Sequence, residues 1–432
     1  MSSILTNTSA TTALRTLQAI NANIVSTQLE LATGRRVASS EDSSAIWSIS
    51  KAMQTDVAGF DRLSNNIALG QSTISVARQA AETVTTLLSE MKVQVVTAQQ
   101  DSVDRAKIQS EVSNLRDQIE AVVAMAQFNG LNLLNNTDST AGTGTVSVLS
   151  SLDRSGATVT ARDIDVRKRD LGTRAGSIAA TGGTFTASAA SVTLNATQTA
   201  TLDASALAVA AGTGFALSVF GTDADGSAFA QASYRTTTGA TPTQAEVAAA
   251  SLSYVARDGD TMGDVVTAIG RKWTAFAQQN DLDPDVLTLG FASGRITATS
   301  GVTDGTDQIA LTFSRVGADA GNTIGGGLDM LSGLDVSTKA GAVSALARMD
   351  GLIATAIGSA AAFGSDQTRL EIQGRFVKTL ADTMRSGIGT MVDADLEEAS
   401  ARLQALQVQQ QLAVQAMSIA NNSPRVLLGL FR

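Results

Sequence analysis

Apolar residues recur at alternating steps of three and four along both ends of the chain. The first such series has twelve members: Phe60, Leu63, Ile67, Gly70, Ile74, Ala77, Ala81, Val84, Leu88, Met91, Val95 and Ala98. After a polar break at 99–102, a second series runs from Ile108 to Ala126. This seven-residue rhythm is typical of coiled-coil seams. It predicts two antiparallel helices over 56–127.

The C-terminal end repeats the pattern from Phe363 to Ile388, shifts at Met391, and continues from Leu396 to Ala420. At about 1.5 Å per residue, an unbroken helix over 364–422 would be on the order of 90 Å long. The N-terminal run carries its own narrow seam: Leu17, Ile20, Ile24, Thr27 and Leu31. A helix cannot bury such a stripe alone, so this seam is predicted to pair with the one from Leu403 to Ala420.

Between about 140 and 340 the chain becomes rich in Ser, Thr, Gly and Ala, and the period changes to two. Alternating segments on either side of 153–156 predict a hairpin, and further strands are predicted around 191–194, 215–220, 286–291, 295–299 and 308–313. Thr261 begins a short amphipathic helix. The predicted fold class is therefore α+β: long terminal coiled-coil helices, forming a helical hairpin or bundle, with a mainly β or α+β central insertion.

Composition excludes several functions. The 432 residues carry a formal charge of −9 and contain neither cysteine nor histidine, which excludes disulfides, thiolate or imidazole catalysis and ordinary zinc sites. The acidic balance argues against nucleic acid as a partner. The one basic run, 167–169, is flanked by acids and is interpreted as a solvated strand or turn edge rather than a binding patch. No run of about 20 apolar residues and no cleavable signal is evident, so membrane insertion is not expected.

Four segments could carry chemistry, and each has a simpler interpretation. Asp223-Ala-Asp-Gly226 resembles the start of a calcium loop but has Tyr234 at the twelfth position, so we expect an ordinary turn. Gly325-Gly-Gly327 lacks the Lys-Ser/Thr of a phosphate loop and is expected to be a flexible turn. The acids between Asp393 and Glu398 are expected on a solvated helix surface, and Trp47 in apolar packing or, alternatively, in contact with a partner. No catalytic, cofactor-binding or metal residues are predicted.

Several motifs at both ends resemble those of bacterial flagellin. They are Ser3-Ile-Leu-Thr-Asn7, Leu31-Ala-Thr-Gly-Arg-Arg-Val37, Gln127-Phe-Asn-Gly-Leu-Asn-Leu-Leu134, Asp393-Ala-Asp395 and the ending from Ala420 to Arg432. The loop Glu41-Asp-Ser-Ser-Ala-Ile46, followed by Trp47, is similar to flagellins of alphaproteobacterial type. The resemblance covers about 1–172 and 341–432, while the middle carries no motif of the family.

The resemblance implies three domains. Residues 1–40 and 392–432 would form an inner-tube terminal coiled-coil domain. Residues 41–172 and 341–391 would form an outer-tube helical domain with a β-hairpin. Residues 173–340 would form a variable, surface-exposed α+β domain. The residues expected to pack subunits in the filament core are Leu17, Ile20, Ile24, Leu31, Leu396, Leu403, Leu406, Met417, Leu427, Leu428, Leu430 and Phe431.

The implied function is that of a structural subunit that polymerises into the extracellular flagellar filament for swimming motility. The implied partners are other copies of the chain, the flagellar export apparatus with its chaperone, and the hook-associated and cap proteins. The chain would be secreted unfolded through the flagellar channel. Two alternatives stay open: a hook-filament junction protein, and an enzyme or adhesin displayed through the central domain.

Overall fold

The structure, a computed structural model, describes residues 7–155, 158–302 and 305–429, with side chains at 153–159 and 423–429 left undescribed. In these ranges the α-helices are α1 (Thr8–Thr33), α2 (Ser44–Thr97), α3 (Arg105–Met125), α4 (Gln244–Ala249), α5 (Met262–Gln279), α6 (Lys339–Val392) and α7 (Leu396–Gly429). The strands are β1 (Gln127–Phe128), β2 (Leu131–Asn132), β3 (Thr145–Ser155), β4 (Thr158–Arg167), β5 (Phe185–Leu194), β6 (Thr199–Asp203), β7 (Gly214–Thr222), β8 (Ser253–Val255), β9 (Leu287–Ala292), β10 (Arg295–Ser300) and β11 (Gln308–Val316). The α+β class is confirmed.

The chain divides into two compact units. The terminal unit comprises Met1–Asn65, Ser151–Thr160 and Gly374–Arg432, and the central unit comprises Asn66–Ser150 and Ala161–Gln373. The predicted three-domain division stays a prediction.

In the terminal unit, the C-terminal helical stretch is interrupted, although the sequence pattern was compatible with one unbroken helix over 364–422. Helix α6 ends at Val392 and α7 begins at Leu396. Asp393 leaves the helix because it forms an antiparallel bridge with Arg35, and the Asp395 carboxylate accepts the backbone N–H groups of Glu397 and Glu398. The acidic segment therefore caps α7, where a carboxylate favours a helix N-terminus.

Because proline removes a backbone donor, Pro424 predicts a kink or a stop in the last helix. It does not stop it, because α7 continues to Gly429. A proline fixes φ close to the helical value and removes a single backbone donor, so a helix can pass through it at a cost.

In the central unit, the predicted seam of α2 is buried. Its members from Ile67 to Val95 are buried, and α6 contributes Met349, Leu352 and Phe363 to the core. The two helices run antiparallel, since Arg78 donates to Gln367 at 3.0 Å and Lys92 pairs with Asp350 at 2.6 Å. The period of 3.5 thus predicted the buried face correctly.

The central strands form two antiparallel sheets, with orders β5-β11-β7-β8 and β6-β10-β9. Helix α5 begins at the predicted cap Thr261, whose hydroxyl accepts the Asp264 N–H while the Asp264 carboxylate accepts the Thr261 N–H. Its apolar face joins sheet residues in one core: Val265, Val266, Ile269 and Trp273 with Phe215, Leu311 and Phe313. The predicted strands and the embedded helix are confirmed.

The hairpin predicted around residues 153–156 is one of two in this part of the chain. Strands β1 and β2 pair across Asn129 and Gly130, which have φ of 51° and 79°. Two successive residues with positive φ are what a type I′ turn requires, and Asn-Gly supplies them at low cost. Strands β3 and β4 form the second hairpin, whose turn lies outside the described residues.

The run Gly325–Gly327 is not a flexible turn. Its backbone lies against residues 170–176: Gly326 N–H donates to Arg174 O at 2.8 Å, and Leu328 N–H donates to Gly172 O at 2.9 Å. A Cβ on Gly326 would stand 1.9 Å from Gly172 O. The three glycines allow two backbones to approach closely, and the sequence alone did not indicate the second backbone.

Helix α6 was not expected to resemble a membrane span. It holds an 18-residue window of mean hydropathy 1.3 with at most two charged residues, which suffices by length and composition, and 28% of the window is buried. The hydropathy comes from Ala, Leu and Ile residues with few charges between them, although no unbroken apolar run exists. Core helices pass the same test, so this one helix is weak evidence for a span.

Candidate subunit-packing surface

Helices α1 and α7 lie side by side and run antiparallel. Asn7 Nδ2 donates to Ala420 O at 2.8 Å, Gln410 Nε2 donates to Asn21 Oδ1 at 2.7 Å, and Ala394 N–H donates to Gly34 O at 3.0 Å. These contacts occur at the start, middle and end of α1. The two chain ends therefore meet along the whole helix, with the predicted seams between them.

The seam residues predicted to pack subunits are buried to different degrees. Ile24 and Leu406 are buried, and a further four are half-buried: Leu17, Ile20, Leu403 and Met417. Leu31 and Leu396, at the end of the seam beside Gly34 and Ala394, are 36% and 49% exposed. The side chains of Leu427 and Leu428 are not described, and Leu430 and Phe431 lie outside the described residues. Their role in subunit packing stays a prediction.

Helix α7 carries a second apolar stripe that the sequence analysis missed. Val408, Leu412 and Ile419 are exposed, with Ile419 at 73%. At 100° per residue these three lie within about 40° of one another, on roughly the opposite side of the helix from Leu406 and Met417.

Helix α1 carries a matching stripe. Leu14, Val25 and Leu29 are exposed, with Val25 at 64%, and they lie within about 60° of one another around the helix. In each helix two stripe members stand eleven residues apart, Leu14 with Val25 and Val408 with Ile419. This spacing, close to three helical turns, is the signal that could have revealed the stripes.

A polar turn joins α1 to α2. Helix α1 ends before Gly34, at φ +66°, and the Asp42 carboxylate accepts the backbone N–H groups of Ala38 and Ser39 at 2.9 and 2.8 Å. These amides, the Ser39 N–H foremost, hold the pKa of Asp42 below its usual range. The polar segment before Ser44, where α2 begins, is thus a turn held by Asp42.

We expect Asp42→Ala to lower the melting temperature of the depolymerised protein at pH 7. Because the pKa of Asp42 is lowered in the folded state, its contribution is fully present above pH 3.8 and is lost as pH falls through the folded value. The difference in melting temperature between wild type and variant should therefore shrink below pH 3.8. Ser40→Ala, in the same exposed turn, is the control. A difference that grows on acidification would contradict this prediction.

The other candidate residues form structural contacts. Glu398 pairs with Arg402 at 2.7 Å on exposed α7. Trp47 is half-buried, with the Lys51 ammonium 6.0 Å from its ring centre. In the central unit, Asp223 accepts the backbone N–H groups of the turn that follows it.

Asp307, which is distant in sequence, lies beside the turn at Asp223. Carboxylate oxygens of Asp223, Asp225 and Asp307 lie within 4.8 Å of one another, a spacing that could hold a cation. Asp307 also accepts the Ala224 N–H at 3.2 Å. Since backbone amides already bind these carboxylates, the group also has a purely structural explanation.

Comparisons with known proteins point to one family. Models of the bacterial flagellin N-terminal and C-terminal helical regions match residues 4–139 and 346–431. Flagellin A of Rhizobium meliloti is 32% identical over 441 residues, covering 100% of both chains. The solved structures of FliC from Burkholderia pseudomallei and FlgL from Xanthomonas campestris are 18% and 12% identical and superpose with TM-scores of 0.30 and 0.34. They cover 69% and 79% of this chain, and 99% of each structure. Both TM-scores lie below 0.5, so the superpositions carry no argument about function.

Proposed function

The chain belongs to the bacterial flagellin family and is a subunit of the flagellar filament, and from that premise we propose that copies of it pack through the exposed stripes of α1 and α7. The observation that supports the proposal is where the two apolar stripes lie on the helices. The α1–α7 pair buries one face of each helix and leaves an ordered row of large apolar residues on another. Such a row on a protein surface marks an interaction site.

Burial between copies would stabilise assembly substantially. A fully buried Val, Leu or Ile side chain contributes about 1.5–3 kcal/mol relative to an exposed one. Each subunit offers three such residues on each helix, and every subunit repeats the same contacts. Part of this gain offsets the ordering of the chain ends, which costs about 1–2 kcal/mol per residue.

The proposal extends to the arrangement of the domains in the filament. The terminal segments 1–40 and 392–432 form the inner tube. Segments 41–172 and 341–391 form the outer tube, and 173–340 faces solvent. The core shared by the two sheets and α5 supports a solvent-facing position for 173–340, because this segment encloses that core by itself.

The chain is also proposed to be a structural protein and not an enzyme, secreted unfolded with the help of the flagellar export apparatus and a chaperone. The sequence supports this with its lack of histidine and cysteine. Cap and hook-associated proteins are the proposed partners at the ends of the filament.

Removing Leu427–Arg432 should block polymerisation and leave a soluble monomer. The segment contains four large apolar residues in its sequence: Leu427, Leu428, Leu430 and Phe431. Electron microscopy and sedimentation measure the result. The control is the double variant Leu427→Met, Leu428→Met, which keeps apolar side chains of similar volume and should still polymerise. Normal filaments from the truncated chain would refute a role for this segment.

A further inference from the structure

Eight charged side chains line one cavity of about 230 Å³ in the central unit. Five are cationic and three anionic: Arg167, Lys168, Arg169, Arg257 and Arg271, with Asp170, Asp260 and Asp264. The cavity thus has an excess of two positive charges in a chain whose net charge is −9. It is smaller than the 300–1,000 Å³ or so of sites for drug-sized ligands, which limits an occupant to a small molecule.

Two of the arginines are fully engaged by the protein. Arg167 pairs with Asp260 at 2.6 Å and with Asp264 at 3.1 Å. Arg257 donates to Gly325 O at 2.8 and 3.1 Å and to the Tyr254 hydroxyl at 2.7 Å. These contacts make one rigid wall of the cavity.

The third carboxylate is also occupied. Asp170 is buried and accepts the backbone N–H groups of Asn136, Gly172 and Gly327 at 2.7, 2.8 and 3.0 Å. It is therefore a structural acceptor for three amides and not a counter-ion for the remaining cations.

Three cations are left without a counter-charge in contact. The side chains of Arg271, Lys168 and Arg169 form no hydrogen bond or ion pair with any residue that the structure describes, and the Arg169 Nε is buried. Burial lowers the pKa of Arg271. Buried donors and charges without partners are costly, so this arrangement favours a bound anion.

One acceptor in the cavity also lacks a partner. Asn136 is 2% exposed, and its Nδ2 donates to Asp258 O at 3.0 Å, which fixes the orientation of the amide. Its buried Oδ1 accepts no hydrogen bond from the described residues. An occupant that satisfies all of these groups needs acceptor oxygens for the cations and one hydroxyl donor for Asn136.

We propose that this cavity binds a small hydroxyl-bearing oxyanion, of which hydrogen phosphate is the simplest, held by Arg271, Lys168 and Arg169. Lys168 and Arg169, which belong to the basic run interpreted from the sequence as a solvated strand or turn edge, supply two of the three cations. Arg271 of α5 completes the site. The excess of two positive charges matches a dianion.

Helix α6 provides space for the site. Gly351 faces the Arg271 stem, whose Cδ stands 3.5 Å from the position of an added Cβ, an ordinary van der Waals contact. Gly358 lines the cavity with nothing within 4 Å of its added Cβ. A larger side chain at 358 can therefore enter the cavity without displacing protein atoms near its Cβ.

The test is calorimetric titration of full-length depolymerised protein with sodium phosphate at pH 7, with sodium chloride at the same ionic strength as the reference. We expect one phosphate to bind per chain, and Arg271→Gln to weaken binding at least tenfold. Arg295→Gln, which removes an exposed arginine paired with Asp203 in the same unit, should leave the affinity unchanged. No binding above the chloride reference, or equal binding by Arg271→Gln, would overturn the proposal.

Gly358→Leu provides a test that does not remove a charge. Leucine fills the cavity and raises helix propensity, so the variant should keep its melting temperature and lose phosphate binding. Gly358→Ala is its matched control and should bind as wild type does. If Arg271→Gln fails to fold, the leucine variant decides, and phosphate binding at wild-type affinity by that variant refutes the site.

Discussion

Filament assembly is expected to fail when Leu412 is replaced by aspartate. Leu412 is 58% exposed in the single chain and lies in the middle of the α7 stripe. Burying this leucine between subunits contributes about 2 kcal/mol, and burying a carboxylate in its place costs about 2 kcal/mol or more. A loss of about 4 kcal/mol per contact raises the critical concentration close to a thousandfold.

The substitution should not change the fold or the stability of the monomer, because the side chain of residue 412 faces solvent in the single chain. Circular dichroism and the melting temperature of depolymerised Leu412→Asp should match wild type, while sedimentation and electron microscopy should detect no filaments. Gln407→Asp is the matched control: it places the same charge at an exposed position about 100° around the helix from Val408. Filaments from Leu412→Asp at wild-type concentration would rule out the stripe as an interface.

The second large effect is expected in the core of the central unit. Phe313 is fully buried in β11 between β5 and β7, and its ring stacks on Phe215 with 5.7 Å between ring centres. Phe313→Ala leaves a cavity among close-packed side chains, so it should lower the free energy of unfolding by about 3–5 kcal/mol. Urea unfolding of the depolymerised protein, followed by the fluorescence of buried Trp273, measures the loss.

Phe376→Ala makes the same chemical change on the surface. Phe376 is 61% exposed on α6, and its replacement should change the free energy of unfolding by no more than about 0.5 kcal/mol. The comparison separates core packing from side-chain chemistry. A loss below about 1 kcal/mol in Phe313→Ala would mean that this core is loosely packed.

Much of the fold follows from local patterns. The seam from Leu63 to Val95, the Asn129-Gly130 hairpin and the Thr261 cap are set by residues close in sequence, and the structure has all three. Periodicity predicts a buried face reliably because side-chain direction is fixed by helix or strand geometry.

Only the buried seam of the candidate packing surface could be predicted from the sequence. The seam pattern predicted Ile24 and Leu406 as buried, yet it did not indicate that Leu31 and Leu396 are more exposed or that Val408 and Ile419 form a second stripe. A helix pattern identifies apolar positions, but which face a neighbour covers depends on the axis along which the two helices meet.

Local patterns were sufficient to predict the long terminal helices, their apolar seams, the strands of the central unit and the family, because these depend on residues near one another in the chain. Three features could be seen only in the folded chain. The helix breaks at Asp393, which forms a backbone bridge with distant Arg35. Gly326 approaches Gly172 closely, and Arg169 and Arg271 line the same cavity. Each of these joins segments far apart in sequence. A local pattern carries no information about which remote backbone or charge will arrive beside it.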